Sequence, residues 1–343
     1  MDSKNENPPG KLLFVVGLWR SGTSLMYTVL NQHPQITIMY EAEPFNLWPR
    51  YASAVLPDDW VQRLDLFNGA ITRHGFDTST LPKNPSVRDA YFALVRQLNA
   101  SRKSKIIGGK SPSYHLWLPE IAHVFPEAVF LIIWRNPLEC CRSAAHAARI
   151  NPFFGQRGMM TRILFGAEVL AKGVECLRRE GRQVHEVVYD EFVENPEAEV
   201  RRICAFLEIE FEPKMLDLKN ADFLVLPKDN LHHHVRSGVI KKNHKYEELL
   251  SMDFTAKGRR YANLWRGRYA HLGFARALPT SDDVEKPGWA GQLFDRSVFF
   301  LWTTLDNLRC QAYRRIPLSW WIFLRKYKPR NRAASSQGKA ASE

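Results

Sequence analysis

The sequence predicts an α/β protein of three layers, a central parallel sheet with helices on both faces, followed by an aromatic and basic helical extension. Three observations carry that reading. From Lys11 the chain runs as a short apolar stretch (LLFVVGL), a turn with glycine (WRSGT) and a helix-like segment (SLMYTVLNQ), a strand–turn–helix opening. Apolar runs at 105–108, 128–134 and 184–189 are continuous rather than alternating, as in strands buried on both faces. Helix-periodic segments separate these runs, so that successive strands lie parallel with helical crossovers.

Taken in order, residues 1–10 (MDSKNENPPG) are polar and bear proline and glycine, and are expected to be disordered. Residues 11–278 form the main domain, with helices expected over 86–100, 138–150, 161–180 and 196–207, the last opened by Asn195-Pro196. After Leu278 the loop-like PTSDDVEKPGW marks a boundary, and 279–343 reads as a helical, basic extension with a disordered end. No internal repeat is present.

At 343 residues with 45% hydrophobic content the chain buries a sizeable core and is not a disordered tail. Its five cysteines (Cys140, Cys141, Cys176, Cys204, Cys310) are odd in number and lack CxxC spacing, which suits reduced thiols in a cytoplasmic protein rather than a disulfide framework or zinc site. The first residues lack an apolar signal region, and no apolar run reaches the roughly 18 residues of a membrane span. Forty-eight Lys and Arg against 36 Asp and Glu give a net charge of +12. Residues 309–343 hold nine of the cations against Glu343 alone, so +8 belongs to the tail and +4 to everything before it.

Gly17-Leu18-Trp19-Arg20-Ser21-Gly22-Thr23-Ser24 has the G-x-x-x-x-G-x-S spacing of a phosphate-cradling loop between a strand and a helix, where backbone N–H groups and the helix N-terminus converge on an anion. A nucleoside-triphosphate loop carries lysine where Thr23 stands, because that ammonium reaches the β- and γ-phosphates. The cation here is Arg20, inside the loop, where a planar guanidinium suits a transferring group beside a single phosphate.

The stretch GLWRSGTSLM resembles the first motif of the sulfotransferases that use 3′-phosphoadenosine 5′-phosphosulfate (PAPS), and the likeness continues along the chain. LIIWRNPLECCRSAA resembles their second motif, VVYDEFVENPEAEVRRICAFL is similar to their strand–acidic turn–helix segment, and Arg236-Ser237-Gly238 resembles their closing Arg-x-Gly loop. The aromatic that usually follows that glycine shortly is displaced here to Tyr246. The resemblance covers roughly residues 11–250 and is closest to tyrosylprotein, carbohydrate and bacterial members. It implies a P-loop-NTPase-like α/β fold with Arg20, Ser21, Gly22, Thr23 and Ser24 around the 5′-phosphosulfate. It further implies Arg135 and Ser143 on the 3′-phosphate, Tyr189 near the adenosine, Arg236 and Gly238 closing over it, and adenosine 3′,5′-bisphosphate (PAP) as product, without a metal.

Sulfuryl transfer resembles phosphoryl transfer in its loose, in-line transition state, so the protein must position an acceptor, take its proton and stabilise charge on the outer oxygens. The cations expected there are Arg20 and Lys110 of IIGGKSPSY. Small-molecule members place a histidine base two residues after that lysine, but the position is Pro112. Tyrosylprotein members use a glutamate after the first helix, and Glu41 matches it, with Glu43 and, more distantly, His115 as alternatives.

The implied activity is sulfuryl transfer to a hydroxyl of a carbohydrate, glycolipid, lipid or other metabolite, with the acceptor pocket expected from 40–85 and 150–165, rich in Phe45, Trp48, Tyr51, Trp60, Phe153 and Phe154. Two rivals stand beside it: a P-loop nucleotide kinase or hydrolase, which Thr23 opposes, and a non-catalytic basic protein at a membrane. No nucleic-acid-binding module is visible. The tail (SVFFLWTTLDNL, IPLSWWIFLRKYKPRNR) suits either an interfacial segment on anionic lipid, placing the protein at the inner face of the membrane, or aromatics docked on the body. His232-His233-His234 lacks metal-site spacing, since adjacent residues do not share a face.

Overall fold

The computed structural model describes residues 10–42, 44–48, 55–156, 158–221, 233–236, 238, 240 and 289–320. Five strands form one sheet: β1 (Lys11–Gly17), β2 (Ile36–Tyr40), β3 (Ile106–Ser111), β4 (Val129–Trp134) and β5 (Val184–Val188), in the order β2-β3-β1-β4-β5 with every neighbouring pair parallel. Four of them match apolar runs in the sequence. β2 has no clear signal in the sequence, because ITIMY is short and follows the polar HPQ; its inward Thr37 is tolerated since its hydroxyl pairs with Ser104 Oγ at 2.9 Å.

The continuous apolar pattern has a direct cause in the two cores. Leu12, Phe14 and Val16 of β1 and Phe130, Ile132 and Trp134 of β4 enter one core, whereas Leu13, Val15, Val129, Leu131 and Ile133 enter the other. Alternate residues point to opposite faces, so a strand covered on both sides must be apolar throughout. The first core is aromatic at its centre, where the rings of Tyr91, Tyr114, Phe125 and Phe130 lie 5.3–5.9 Å from Phe14.

Helices cover both faces. On the second core lie α1 (Thr23–Asn31), α9 (Tyr189–Glu194) and α10 (Pro196–Leu207); on the first lie α2 (Pro44–Leu47), α3 (Trp60–Asn68), α4 (Ala70–His74), α5 (Val87–Asn99), α6 (Leu118–Val124), α7 (Pro137–Ala147) and α8 (Met159–Arg179). α5, α7, α8 and α10 fall within three residues of the expected helices. Local chemistry sets their starts: Ser86 Oγ accepts from Asp89 N at 3.1 Å, and Asn136 Oδ1 accepts from Leu138 N at 2.9 Å with Pro137 in the first turn.

The short α11 (His233–Arg236) lies against α1, and α12 (Trp289–Arg315) runs along α8, α2 and α3. Phe299 of α12 packs on Phe165 at 5.7 Å, Trp302 occupies the space beside Gly158 with Arg162 over its ring at 5.8 Å, and Arg63 Nη1 donates to the Ile316 carbonyl at 2.9 Å. The extension is thus docked on the body through Trp302, while Trp320 is 62% exposed. Trp321, Phe323, the basic residues beyond them, His232 and the boundary near residue 278 lie outside the described residues. All five cysteines are free thiols. Among the described residues no helix is long and apolar enough to cross a membrane.

Candidate active site

The sheet brings the residues singled out in the sequence to one edge. Arg20 follows β1, Glu41 follows β2, Lys110 lies at the end of β3, Arg135 follows β4 and Tyr189 follows β5. In an open parallel sheet the carboxyl ends of the strands are where ligands bind, at the point where the chain reverses its direction of winding, here around the central β1.

The loop after β1 is shaped for an anion. Gly22 adopts φ +101°, and a Cβ there would fall 2.4 Å from the Tyr189 ring, so only glycine lets that ring close on the loop. α1 begins at Thr23 with no side-chain cap and no acidic residue in its first turn, which leaves its N–H groups and dipole directed at the loop. Ser21 Oγ is buried inside the loop without a hydrogen-bond partner among the described residues. Ser24 Oγ lies 3.3 Å from the Tyr40 hydroxyl.

Arg20 adopts φ +67°. Its Nε donates to Ser143 Oγ at 3.0 Å, its guanidinium lies over Phe154 at 5.5 Å, and its carbonyl accepts from Arg135 Nη1 at 2.8 Å. Arg135 in turn stacks on Tyr189 at 4.3 Å. The first and second motifs and the tyrosine therefore form one connected cluster. α11 carries Arg236 alongside α1, and Gly238, at φ +75°, sits against Lys219; Ser237 lies outside the described residues.

On the other side of the loop, Lys110 Nζ and Glu41 Oε1 form an ion pair at 2.7 Å. The lysine side chain is 1% exposed and the glutamate side chain 33%, so the cation is buried and the carboxylate reaches outward. Lys110 Nζ also lies 3.9 Å from the centre of the Tyr40 ring, a second partner that offsets its desolvation. Glu41 adopts φ +48°, sparsely populated for this residue type, and two hydrogen bonds hold it there: Glu41 N donates to the Lys110 carbonyl at 3.0 Å and Asn68 Nδ2 donates to the Glu41 carbonyl at 3.0 Å. Burial, then the charge of Glu41, pushes the Tyr40 hydroxyl well above its usual range, so it stays protonated.

Glu43 lies outside the described residues. His115 is 1% exposed, packed edge-on against Trp19 at 4.9 Å, and donates from Nδ1 to the Pro112 carbonyl. Burial lowers its pKa to about 4, which keeps the ring neutral at pH 7.

A cleft of about 130 Å³, open to solvent, is lined in part by sequence neighbours of this constellation. Its floor is Trp19 and Phe153, next in sequence to Arg20 and to the Phe154 that covers Arg20; Phe67, beside the Asn68 that holds Glu41, forms one wall. Phe299, Thr303 and Asn307 of α12, four residues apart on one helical face, also line it. Of the aromatics expected there, Phe45, Trp48 and Trp60 are instead core residues at most 4% exposed, and Tyr51 lies outside the described residues. Tyr40, Asn68 and the α12 residues carry no local motif that marks them.

These strand ends carry a phosphate-type loop whose cation is an arginine, an arrangement suited to group transfer. A sequence model described as "Sulfotransferase family" matches residues 13–213, more than half of the chain. The chain belongs to the sulfotransferase family and transfers a sulfuryl group. It is 27% identical over 215 residues to a Caenorhabditis briggsae protein named "Putative protein-tyrosine sulfotransferase", covering 60% of this chain and 68% of that one. It is 24% identical over 234 residues to the nodulation protein NoeE of Sinorhizobium fredii, covering 60% of this chain and 52%, about half, of that protein's length. Among solved structures, the sulfotransferase domain of the Synechococcus olefin synthase is similar at a TM-score of 0.45 and 15% identity, covering 88% of this chain and 98% of that one.

Proposed function

We propose that the chain transfers a sulfuryl group from PAPS to a hydroxyl of a carbohydrate, lipid or other metabolite, with Glu41 as general base. The observation that carries this reading is the Lys110–Glu41 ion pair at 2.7 Å, its ammonium buried and its carboxylate partly exposed, set beside the Arg20–Ser143–Arg135 cluster at the same sheet edge.

The residues present fit such a donor. An uncapped helix N-terminus, the buried Ser21 hydroxyl and the Gly22 cradle suit its 5′-phosphosulfate; Arg135, Ser143, Arg236 and Gly238 suit the 3′-phosphate, and the Tyr189 ring suits the adenosine. The donor supplies a sulfuryl group on a phosphate leaving group, and PAP is the product.

Each side chain then has a distinct task. Glu41, fixed by Asn68 and the β3 carbonyl, accepts the acceptor's proton as the new oxygen–sulfur bond forms. Lys110, released from Glu41 once the carboxylate is protonated, would have its charge available for the bridging oxygen, which would leave with the phosphate as its bond to sulfur breaks. Arg20 stabilises the charge on the outer sulfuryl oxygens, held in place by Ser143 and Phe154. The cleft lined by Trp19, Phe67, Phe153 and Phe299 receives the acceptor, its flat apolar surfaces matching a sugar ring or an acyl chain.

Two measurements test the reading. PAP should raise the melting temperature without magnesium, and more than ATP with magnesium does. Incubation with labelled donor and an extract of host lipids and glycans should yield a labelled product; stabilisation by ATP and magnesium alone would sink the proposal.

A further inference from the structure

The inward face of α12 lines the cleft, but among the described residues nothing covers the opposite face. Leu293, Phe294, Phe300, Leu301, Leu305 and Leu308 are between 45% and 72% exposed. At 100° per residue they share one face, interrupted only by Ser297 and Thr304. Arg296, by contrast, turns to Glu168 of α8 at 4.0 Å. The row spans roughly 23 Å of helix at 1.5 Å per residue, and soluble surfaces rarely show so continuous an apolar strip without a partner.

We infer that this face lies on an anionic lipid surface, with its apolar side chains at the boundary between headgroups and acyl chains. Charge decides the occupant. Arg315 continues the line of the row beyond Leu308, and the sequence that follows adds Arg325, Lys326, Lys328, Arg330, Arg332 and Lys339 against Glu343 alone. A second copy of this chain, itself at +12, brings like charge to that end of the helix, whereas an anionic bilayer brings the opposite charge. The helix lies along the surface rather than through it, since among the described residues none is apolar enough to span. The acceptor cleft is then one helix diameter, about 10 Å, from the lipid.

The full chain should co-sediment with vesicles of equimolar phosphatidylcholine and phosphatidylglycerol about tenfold more strongly than with phosphatidylcholine alone, and less as salt rises. The double variant Leu301→Glu/Leu305→Glu, changed only at exposed positions, should lose at least about tenfold of that binding at an unchanged melting temperature. Replacing the six cations after residue 320 with glutamine should remove the preference for phosphatidylglycerol. Equal sedimentation of parent and double variant, no sedimentation with either vesicle, or a dimer in light scattering that the double variant dissolves without any lipid binding would each overturn the inference.

Discussion

The strand-end side of the candidate site draws its residues from the ends of five parallel strands, whereas the cleft joins Trp19, Phe67 and Phe153 of the body to Phe299 and Thr303 of a helix far along the chain. The first is backbone-defined: Gly22, Arg20 and Glu41 sit at positive φ, and sheet hydrogen bonds fix the register of Lys110 and Glu41. The second is defined by side-chain packing of helices. Under the proposed function, the difference puts chemistry on the backbone-defined part and acceptor choice on the part defined by side-chain packing. A substitution at a strand end should change rate or donor affinity, and one on α12 should change acceptor recognition.

The sharpest break in that division is Glu41→Gln, which should lower kcat on the order of a hundred- to ten-thousand-fold while PAP binding by calorimetry stays at the parental level. Turnover at the parental rate would remove Glu41 as base. A smaller but global effect comes from His115, which holds its place under Trp19 as a neutral ring. The unfolded chain takes up a proton near pH 6.5 and the folded one only at about 4, so stability is full above pH 6.5 and is lost on acidification, by about 2 kcal/mol near pH 5. His74, also lowered to about 4 by burial, acts in the same direction. Chemical denaturation at the two pH values measures this loss, and His115→Asn should flatten the slope; identical stability at both would contradict it.

Gly22→Ala places a Cβ 2.4 Å from the Tyr189 ring at a backbone φ that alanine resists, and should weaken PAP affinity about tenfold without altering acceptor KM. The smallest expected change is Phe299→Ala, a few-fold rise in acceptor KM with PAP affinity untouched. If Phe299→Ala instead weakened PAP as strongly as Gly22→Ala does, the two sides of the site would not be separable.

Legibility in the sequence follows the same division. Arg20 is legible from the spacing of its loop, Lys110, Arg135 and Tyr189 through the resemblance at the ends of readable apolar runs, and Glu41 through the resemblance alone, since its strand, ITIMY, carries no clear pattern. Asn68 and Tyr40 are not legible in the sequence, as their contacts depend on a carbonyl and an ammonium brought to them by other strands. Phe45, Trp48 and Trp60 misled because an aromatic in a poorly patterned stretch looks the same whether it lines a pocket or fills the core.

By itself the sequence determined the layered α/β fold, four of the five strands, the loop between Gly17 and Ser24 and the order of the motifs, because these follow from periodicity and local turn chemistry over short stretches. Tertiary structure alone decided the pairing of Lys110 with Glu41, the bond from Arg20 to Ser143 and the two faces of α12, one on the cleft and one exposed. Those depend on which strands lie side by side and which helix covers them, and close packing between distant segments leaves no period in the chain for a reader to count.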